Sequence, residues 1–428
     1  MSIEDRMNIE ERRKYLYGMK KRYVKADRKK RGQLLDEMET VTELHRKTLI
    51  QLMSSDLRRK PRGKQRGRTY GPEVDDVLRV IDESYDYICA ERITPNLVWM
   101  TEQLTQHGEL GVSDSVLEQL DRISVSTVGR IQRRIRQDLP RLPRQHPAHS
   151  TKLTRDIPMG RIPWDTLTPG HFEVDLVHHC GPTATGEYMC TLQMIDVATG
   201  WSERLAVLGR SYLVMEAAFR RILLRLPFRV LEAHPDNGSE FFNYHMLRFW
   251  GEIVQNVQLS RSRPYQKNDN RNVEQKNSTL VRAYLGFERF DTVAQTCAAN
   301  ELYAKMWIYY NLFQPVMHLA DKEVIREDGQ SSRVIRRHDQ ARTPFDRLCA
   351  TDAIWPEHRA QLEALRDQTN PRQLRREIYQ AIDHILSLPG AVPGTPEDVH
   401  QTLAMHPSSE KGGDNLLNFA FNRTTILK

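Results

Sequence analysis

The sequence of 428 residues contains no run approaching the roughly 18 apolar residues that a membrane span needs. Its first residues also lack the short apolar core of a signal peptide. Cysteine is scarce: Cys89, Cys180, Cys190, Cys297 and Cys349 are odd in number, scattered, and form no Cys-x-x-Cys pair. That excludes a disulfide framework and predicts a reduced, cytoplasmic protein with no membrane partner. There is no repeat of fixed period and no low-complexity array, so solenoid architectures are excluded. What is abundant is charge. Charged residues make up 28% against 8% aromatics, with a formal net charge of +7 and a pI near 9.1. A basic balance of this kind suits a nucleic-acid partner, although +7 over this length is a weak signal by itself. The length predicts two to four domains.

Residues 1–57 read as helices broken by a turn. Asn8 and Glu11 resemble a capping box, a second helix covers about Asp27–Met38, and Glu39-Thr40-Val41-Thr42 is the turn. The next helix, from Glu43, carries His45, Arg46, Lys47 and Thr48 outward and Leu44, Leu49, Leu52 and Met53 inward. Helix, short turn and helix with cations on the second suits a helix-turn-helix DNA reader, with Arg46 and Lys47 as contacts. A small bundle with a solvated basic face fits the same pattern equally well. Residues 58–71 are a basic linker suited to lie along phosphates. Residues 72–140 repeat the helical theme, with Pro72 and Pro95 at first-turn positions and helices expected over about 72–90 and 95–107. A final helix turns Val128, Ile131 and Ile135 inward and Arg130, Arg133 and Arg134 outward, forming a second candidate DNA-binding helix-turn-helix. Residues 141–164 have linker composition.

Residues 165–315 change period. Phe172–Val177, Tyr188–Ile195 and Trp201–Val207 read as an antiparallel meander, followed by a helix over Ser211–Leu226. A strand over Arg229–Ala233, a helix over Phe242–Ile253 and a strand over Val257–Leu259 come next. A helix from Asn272 to about Gly286 and another from a Thr292…Gln295 capping box to Phe313 close the domain. The expected architecture is α/β, a mixed five-stranded sheet with helices on its faces. Acidic residues sit at telling places: Asp175 inside the first strand, Asp236 in His234-Pro235-Asp236-Asn237-Gly238-Ser239-Glu240 at the tip of the fourth, and Glu274 on the helix.

This order of strand-Asp, hairpin, Asp-Asn-Gly-Ser-Glu-Phe, then Arg263-Pro264-Tyr265 and Val273-Glu274 resembles the catalytic domain of retroviral-type integrases and bacterial insertion-sequence transposases. The resemblance covers about residues 165–290 and implies a ribonuclease H-like fold with an Asp, Asp, Glu triad at Asp175, Asp236 and Glu274. The last two differ by 38 in number (274 − 236), close to the family's spacing. One departure is Asn268-Asp269-Asn270-Arg271-Asn272, which introduces Asp269 as a rival acid. The resemblance further implies a DNA transposase: metal-dependent strand cleavage and strand transfer by a homo-oligomer on paired element ends, in the bacterial cytoplasm and nucleoid.

The chemistry accounts for the residue types independently. Cleaving a phosphodiester with water, or joining it to a 3′-OH, needs an activated oxygen nucleophile and a stabilised leaving oxygen. Two hard cations about 4 Å apart, Mg²⁺ or Mn²⁺, supply both, and carboxylates are their preferred ligands. Asp175 would bridge the pair, with Asp236 and Glu274 each holding one ion. Lys267, Arg271 and Lys276 are candidate DNA contacts beside them, and Tyr265 a candidate for stacking. Glu173 shares the strand face of Asp175 and is its rival; Asp196 reads as a turn former and Glu240 as a helix cap. His178, His179, Cys180 and Cys190 do not have the spacing of a compact zinc module.

Residues 316–428 form an accessory region: a basic hairpin over Val324–Arg337, a small β element, then charged helical sequence over 356–387 and a loose tail. Two other functions fit the chain, a non-catalytic DNA-binding regulator derived from a transposase and a ribonuclease H-fold nuclease. Metal-dependent nicking separates the first, and joining of 3′-ends separates the second.

Overall fold

The structure is a computed structural model that describes Met7 and residues 9–55, 69–135, 167–235, 241, 246, 248–250, 254, 257–260, 271–325 and 333–404. Two compact units divide the chain, Met1–Thr69 and Tyr70–Lys428.

In the first unit, α1 (Ile9–Lys25), α2 (Arg28–Thr42) and α3 (Arg46–Ser54) enclose Leu16, Met19, Leu34, Leu35, Met38, Leu49 and Met53. Asp27 caps α2, its carboxylate accepting the Lys30 amide at 2.7 Å. The helix runs past the expected end at Met38, because Thr42 is buried and its hydroxyl donates back to the Met38 carbonyl at 2.6 Å. The turn is therefore Glu43-Leu44-His45, with Glu43 in the left-handed region at φ 57. Packing of one more helical turn takes in the residues expected to form the turn, Glu39 to Thr42.

The second unit opens with α4 (Pro72–Ser84), α5 (Ala90–Ile93), a 3₁₀ turn (Thr94–Asn96), α6 (Leu97–Gln106), α7 (Asp114–Arg122) and α8 (Val125–Ile135). Pro72 starts α4 where its missing N–H is harmless. The helix stops short of residue 90, because Asp86 and Tyr87 take φ of 55 and 60 and the Tyr87 amide closes onto Asp82 O at 2.8 Å. The helical path does not start afresh at Pro95, since the Thr94 hydroxyl donates to Ala90 O at 2.7 Å and the chain coils on from α5 through Pro95.

The sheet comprises β1 (His171–His178), β2 (Met189–Asp196), β3 (Ser202–Leu208), β4 (Glu232–Pro235) and β5 (Gln258–Leu259), in the order β3-β2-β1-β4-β5. β1–β3 pair antiparallel, while β4 and β5 run parallel to β1. With α9 (Tyr212–Arg225) between β3 and β4, this is the mixed five-stranded sheet expected. β4 begins later than Arg229 because the Leu231 and Glu232 amides both bond the Gly170 carbonyl, at 2.8 and 3.1 Å. Gly170 has φ +116, and a Cβ there would meet the Arg229 carbonyl at 2.6 Å.

Alternation gives the sheet two unlike faces. Phe172, Val174, Leu176, Leu192, Met194, Leu205 and Val207 join one apolar core with Met215, Phe219 and Ile222 of α9. Of the helix expected over 242–253, Met246, Phe249 and Trp250 are described and lie in the same core. The other face carries Glu173, Asp175, Thr191, Gln193, Ser202 and Arg204, and it is polar.

Two helices cover that polar face. The first, α10, begins as Arg271–Lys276 and continues through a π-helical stretch (Asn277–Arg282) to Ala283–Leu285; it lies against β1 and β2. The second, α11 (Val293–Ile308, then a π-helical turn Tyr309–Phe313), lies along β3 and starts at the expected capping box. Edge strands expose unpaired backbone groups. Here Asn300 and Asn311 each donate to and accept from one residue of β3, Ala206 (2.9 and 2.9 Å) and Ser202 (3.0 and 2.9 Å). Arg225 donates to the Arg204 carbonyl between them at 3.0 Å. Helix side chains thus take the place of a sixth strand.

The rest comprises a two-stranded hairpin, β6 (Leu319–Ile325) and β7 (Arg333–His338), then α12 (Pro344–Cys349), α13 (Pro356–Gln368), α14 (Pro371–Ser387) and α15 (Gln401–Ala404). The Asp328-Gly329 turn and the tail beyond 404 lie outside the described residues. Asp86 knits the second unit together. Its carboxylate accepts from Arg375 (3.1 and 3.0 Å) and Tyr379 (2.8 Å) of α14 and from Tyr284 (2.6 Å) of α10. No helix among the described residues is long and apolar enough to cross a membrane.

The fully buried Glu203 accepts from Trp201 Nε1 (2.9 Å), Trp307 Nε1 (2.6 Å) and Arg225 Nε (2.7 Å). Removing one partner of a buried pair strands the other charge. Arg225→Met is therefore expected to cost about 3–5 kcal/mol, measured by denaturant unfolding. The double variant Glu203→Gln/Arg225→Met should recover much of that loss.

Candidate active site

Strand alternation puts Glu173 and Asp175 on the polar face, two residues or about 6.6 Å apart. Both hold α10. Glu173 is wholly buried, and its carboxylate accepts Asn272 Nδ2 and the Val273 amide, each at 2.8 Å. A carboxylate against first-turn N–H groups satisfies donors that the helix itself cannot. Asp175 accepts Asn277 Nδ2 at 2.5 Å through one oxygen and its neighbour Leu176's amide at 2.8 Å through the other. From Asn272 to Asn277 a helix rises about 7.5 Å, close to the strand spacing, so about one and a half turns of α10 are pinned along β1 at both ends.

Glu274 lies between those anchors with its side chain exposed, while its neighbour Val273 points into the core. Burial pushes the Glu173 carboxyl up to about 7, and the negative charge of Glu274 adds to the rise. The parallel pairing of β1 with β4 ends at Val174 opposite Pro235. Asp175 is the next residue on one strand; Asp236 follows Pro235 and lies outside the described residues. So do Glu240, Tyr265, Lys267, Asp269 and the side chain of Arg271.

Asp175 and Glu274 offer the hard oxygen donors that suit a divalent cation such as Mg²⁺. Among the described residues no group of three or more His, Cys, Asp and Glu side chains is placed to hold a metal ion. His178 and His179 point to opposite sides of β1. His178 Nδ1 meets the Tyr188 hydroxyl at 3.3 Å and Cys190 Sγ at 3.6 Å. His179 Nε2 meets Thr191 Oγ1 at 2.9 Å, and burial, with Arg282 and His178 nearby, pushes its ring down to about 3. Asp196 is a buried turn anchor, accepting the Gly170 amide (2.8 Å) and the Thr199 amide (2.8 Å) and hydroxyl (2.6 Å).

The basic candidates fall into three groups. Lys47, Arg130 and Arg133 are exposed, and the two arginines lie along their own helix. Arg46 pairs with Asp36, and Arg134 pairs with Asp75 of α4. Lys276 is partly buried and faces the positive charges of Arg92 and Arg204. The anchoring by Glu173, Asn272 and Asn277 was the part not read from sequence. Its only local sign is an asparagine on each side of Glu274.

No family model matches the chain. Over 343 residues it is 31% identical to the uncharacterized protein y4rM of Sinorhizobium fredii (strain NBRC 101917 / NGR234), spanning 80% of this chain and 96% of that protein. The chain belongs to the y4rM family. Among solved structures, the catalytic core domain of BIV integrase aligns with 34% of this chain and 85% of its own, at 16% identity and a TM-score of 0.25. A simian T-cell lymphotropic virus intasome, in complex with PP2A regulatory subunit B56 gamma, aligns with 51% of this chain and 70% of its own, at 14% identity and a TM-score of 0.30. At those scores the fold is defined by the sheet's own order and pairing, and the superpositions add no functional weight.

Glu173 has an expected pH signature in metal-free protein. Its proton is held in the folded state up to about 7 but is released near 4.5 in the unfolded chain. The stabilisation is complete below about 4.5 and is lost as pH rises through 7. Thermal unfolding of wild type and Glu173→Gln from acidic to neutral pH should show a difference that changes across that window. A pH-independent difference would rule out the burial-driven shift.

Proposed function

We propose that the chain is a DNA transposase of the Asp, Asp, Glu type, with Asp175, Asp236 and Glu274 as its catalytic carboxylates. One observation supports this above others: Asn277–Asp175 and Glu173–Asn272/Val273 lock the helix bearing Glu274 to the strand bearing Asp175. Two carboxylates on separate elements are thereby held in fixed register, as a shared cation site requires. Asp236 completes the set in sequence, following the last residue of β4. When bound, a pair of Mg²⁺ or Mn²⁺ ions would activate the attacking oxygen and stabilise the leaving one. Asp175 would serve both ions, Asp236 and Glu274 one each. Asn277 orients Asp175, and Glu173 orients the first turn of α10.

In this reading the helical segments bind element ends. The exposed Lys47, Arg130 and Arg133 contact phosphates, and the protein acts as a homo-oligomer that pairs two ends. Arg46 and Arg134 position their helices through Asp36 and Asp75, and Lys267 and Arg271 follow the strand of DNA entering the site.

The deciding assay is strand joining on labelled duplexes carrying candidate element ends, with Mg²⁺ or Mn²⁺. Wild type should yield joined products, while Asp175→Asn, Asp236→Asn and Glu274→Gln should yield none. Asn277→Ala should retain activity reduced about 10–100-fold, as expected for a residue that orients a ligand. Tight end binding without cleavage under any of these conditions would instead identify a regulator. Arg130→Ala and Arg133→Ala should weaken binding to all sequences alike and lower the salt slope by about one each. Loss of affinity for one sequence only would place those arginines on base edges.

A further inference from the structure

The polar face continues inward behind Asp175. Across the sheet, Asp175 pairs with Gln193 of β2, and Gln193 with Arg204 of β3. Gln193 is completely buried and Arg204 is 1% exposed. All three guanidinium nitrogens of Arg204 and both amide atoms of Gln193 are buried without a hydrogen-bond partner. Ser202 Oγ and Asn277 Oδ1, on the same face, are also unsatisfied. The Arg204 guanidinium lies over the Tyr310 ring, 5.1 Å from its centroid.

The neighbouring charges make this harder to sustain. Lys276 of α10 feels Arg92 and Arg204, both positive. Arg92 donates to the Pro315 carbonyl at 2.6 Å and to Gln314 Oε1 at 3.5 Å, and neither partner is an anion. Glu203, the carboxylate whose field reaches Arg204, is committed to Trp201, Trp307 and Arg225. Buried polar groups are normally satisfied, and a buried cation without a counter-charge is strongly destabilising. Water could meet the hydrogen bonds but would leave the charge.

We infer that Arg204, Gln193, Ser202 and Lys276 form an internal site for a small multivalent oxyanion of the phosphate class. The donor set argues for this class. A guanidinium, an amide N–H₂, a hydroxyl and an ammonium together outnumber the oxygens of a carboxylate and match the four of a tetrahedral anion. Gln193 Oε1 and Asn277 Oδ1 suit a residual P–OH or the Lys276 ammonium. Chloride offers one charge and no directional acceptors. Through Asn277, which also holds Asp175, the site adjoins the candidate catalytic carboxylate. It does not depend on the transposase reading.

The test uses the full chain, purified without phosphate or sulfate and free of DNA. Thermal unfolding is followed in millimolar inorganic phosphate and in sodium chloride of equal ionic strength. Wild type should gain about 2–4 °C in phosphate over chloride. Arg204→Met should lose that gain, yet melt no lower than wild type in chloride, because it removes an uncompensated buried charge. Should Arg204→Met not fold, Lys276→Met and Gln193→Leu must each cut the phosphate gain. Arg210→Met, which alters an exposed cation with no assigned role, must keep it. An equal phosphate response in wild type and in the folded site variants would overturn the proposal, as would equal melting in phosphate and chloride. A gain seen with short duplex DNA but not with free phosphate, and lost in Arg204→Met, would also overturn it by assigning the site to a DNA phosphodiester.

Discussion

A carboxylate in the middle of a strand is costly unless something meets it, and in this protein two of them are met by one helix. Glu173 takes the Asn272 side chain and the Val273 amide; Asp175 takes Asn277. The arrangement works because a two-residue step along a strand and about five residues of helix cover nearly the same distance. The helix is therefore held in register by charge and hydrogen bonding on a face where apolar packing is thin. Its exposed acid, Glu274, gains a fixed position relative to Asp175 without entering the core itself.

That polar face also shapes the rest of the second unit. The opposite face builds the main core with α9, so the sheet needs a cover of a different kind on this side. α10 and α11 supply it through side chains that hydrogen-bond: Asn300 and Asn311 close the edge of β3, Tyr303 reaches Thr191 at 2.7 Å, and Tyr284 reaches Asp86. Apolar contact on this side begins at Met189 and Ala206 of the sheet and continues outward through Ala299, Leu302 and Met306 of α11 to Leu374, Ile378 and Ile382 of α14. The accessory C-terminal helices are thus part of the support for the site, and Asp86 joins them to the helical segment before the sheet. Membership of the y4rM family adds a relative matched over 96% of its own length and 80% of this chain.

Features with a short-range cause were legible from the residues. Pro72 opening a helix, the Thr292–Gln295 capping box, the alternating strands and the meander turns each depend on residues a few positions apart. Boundaries set by distant partners were not. α2 extends to Thr42 because that residue finds a buried place, and β4 starts at Glu232 because Gly170 takes the preceding amides. Strand periodicity could show Glu173 and Asp175 sharing a face, but it could not separate their roles. Only the partners do that, since one carboxylate lies wholly inside against a helix start and the other is partly open beside Glu274.

By itself, then, the sequence determined the elements, the strand-borne acids and the mixed sheet, because periodicity, capping and turn chemistry act over a few residues. Tertiary structure alone decided which acids meet the helix, how the β3 edge is closed and which cations turn inward. Those outcomes depend on groups about a hundred residues apart in the chain, such as Asp175 with Asn277 and Ser202 with Asn311. Whether a polar side chain is an asset or a cost is settled only by what stands opposite it once the chain has closed.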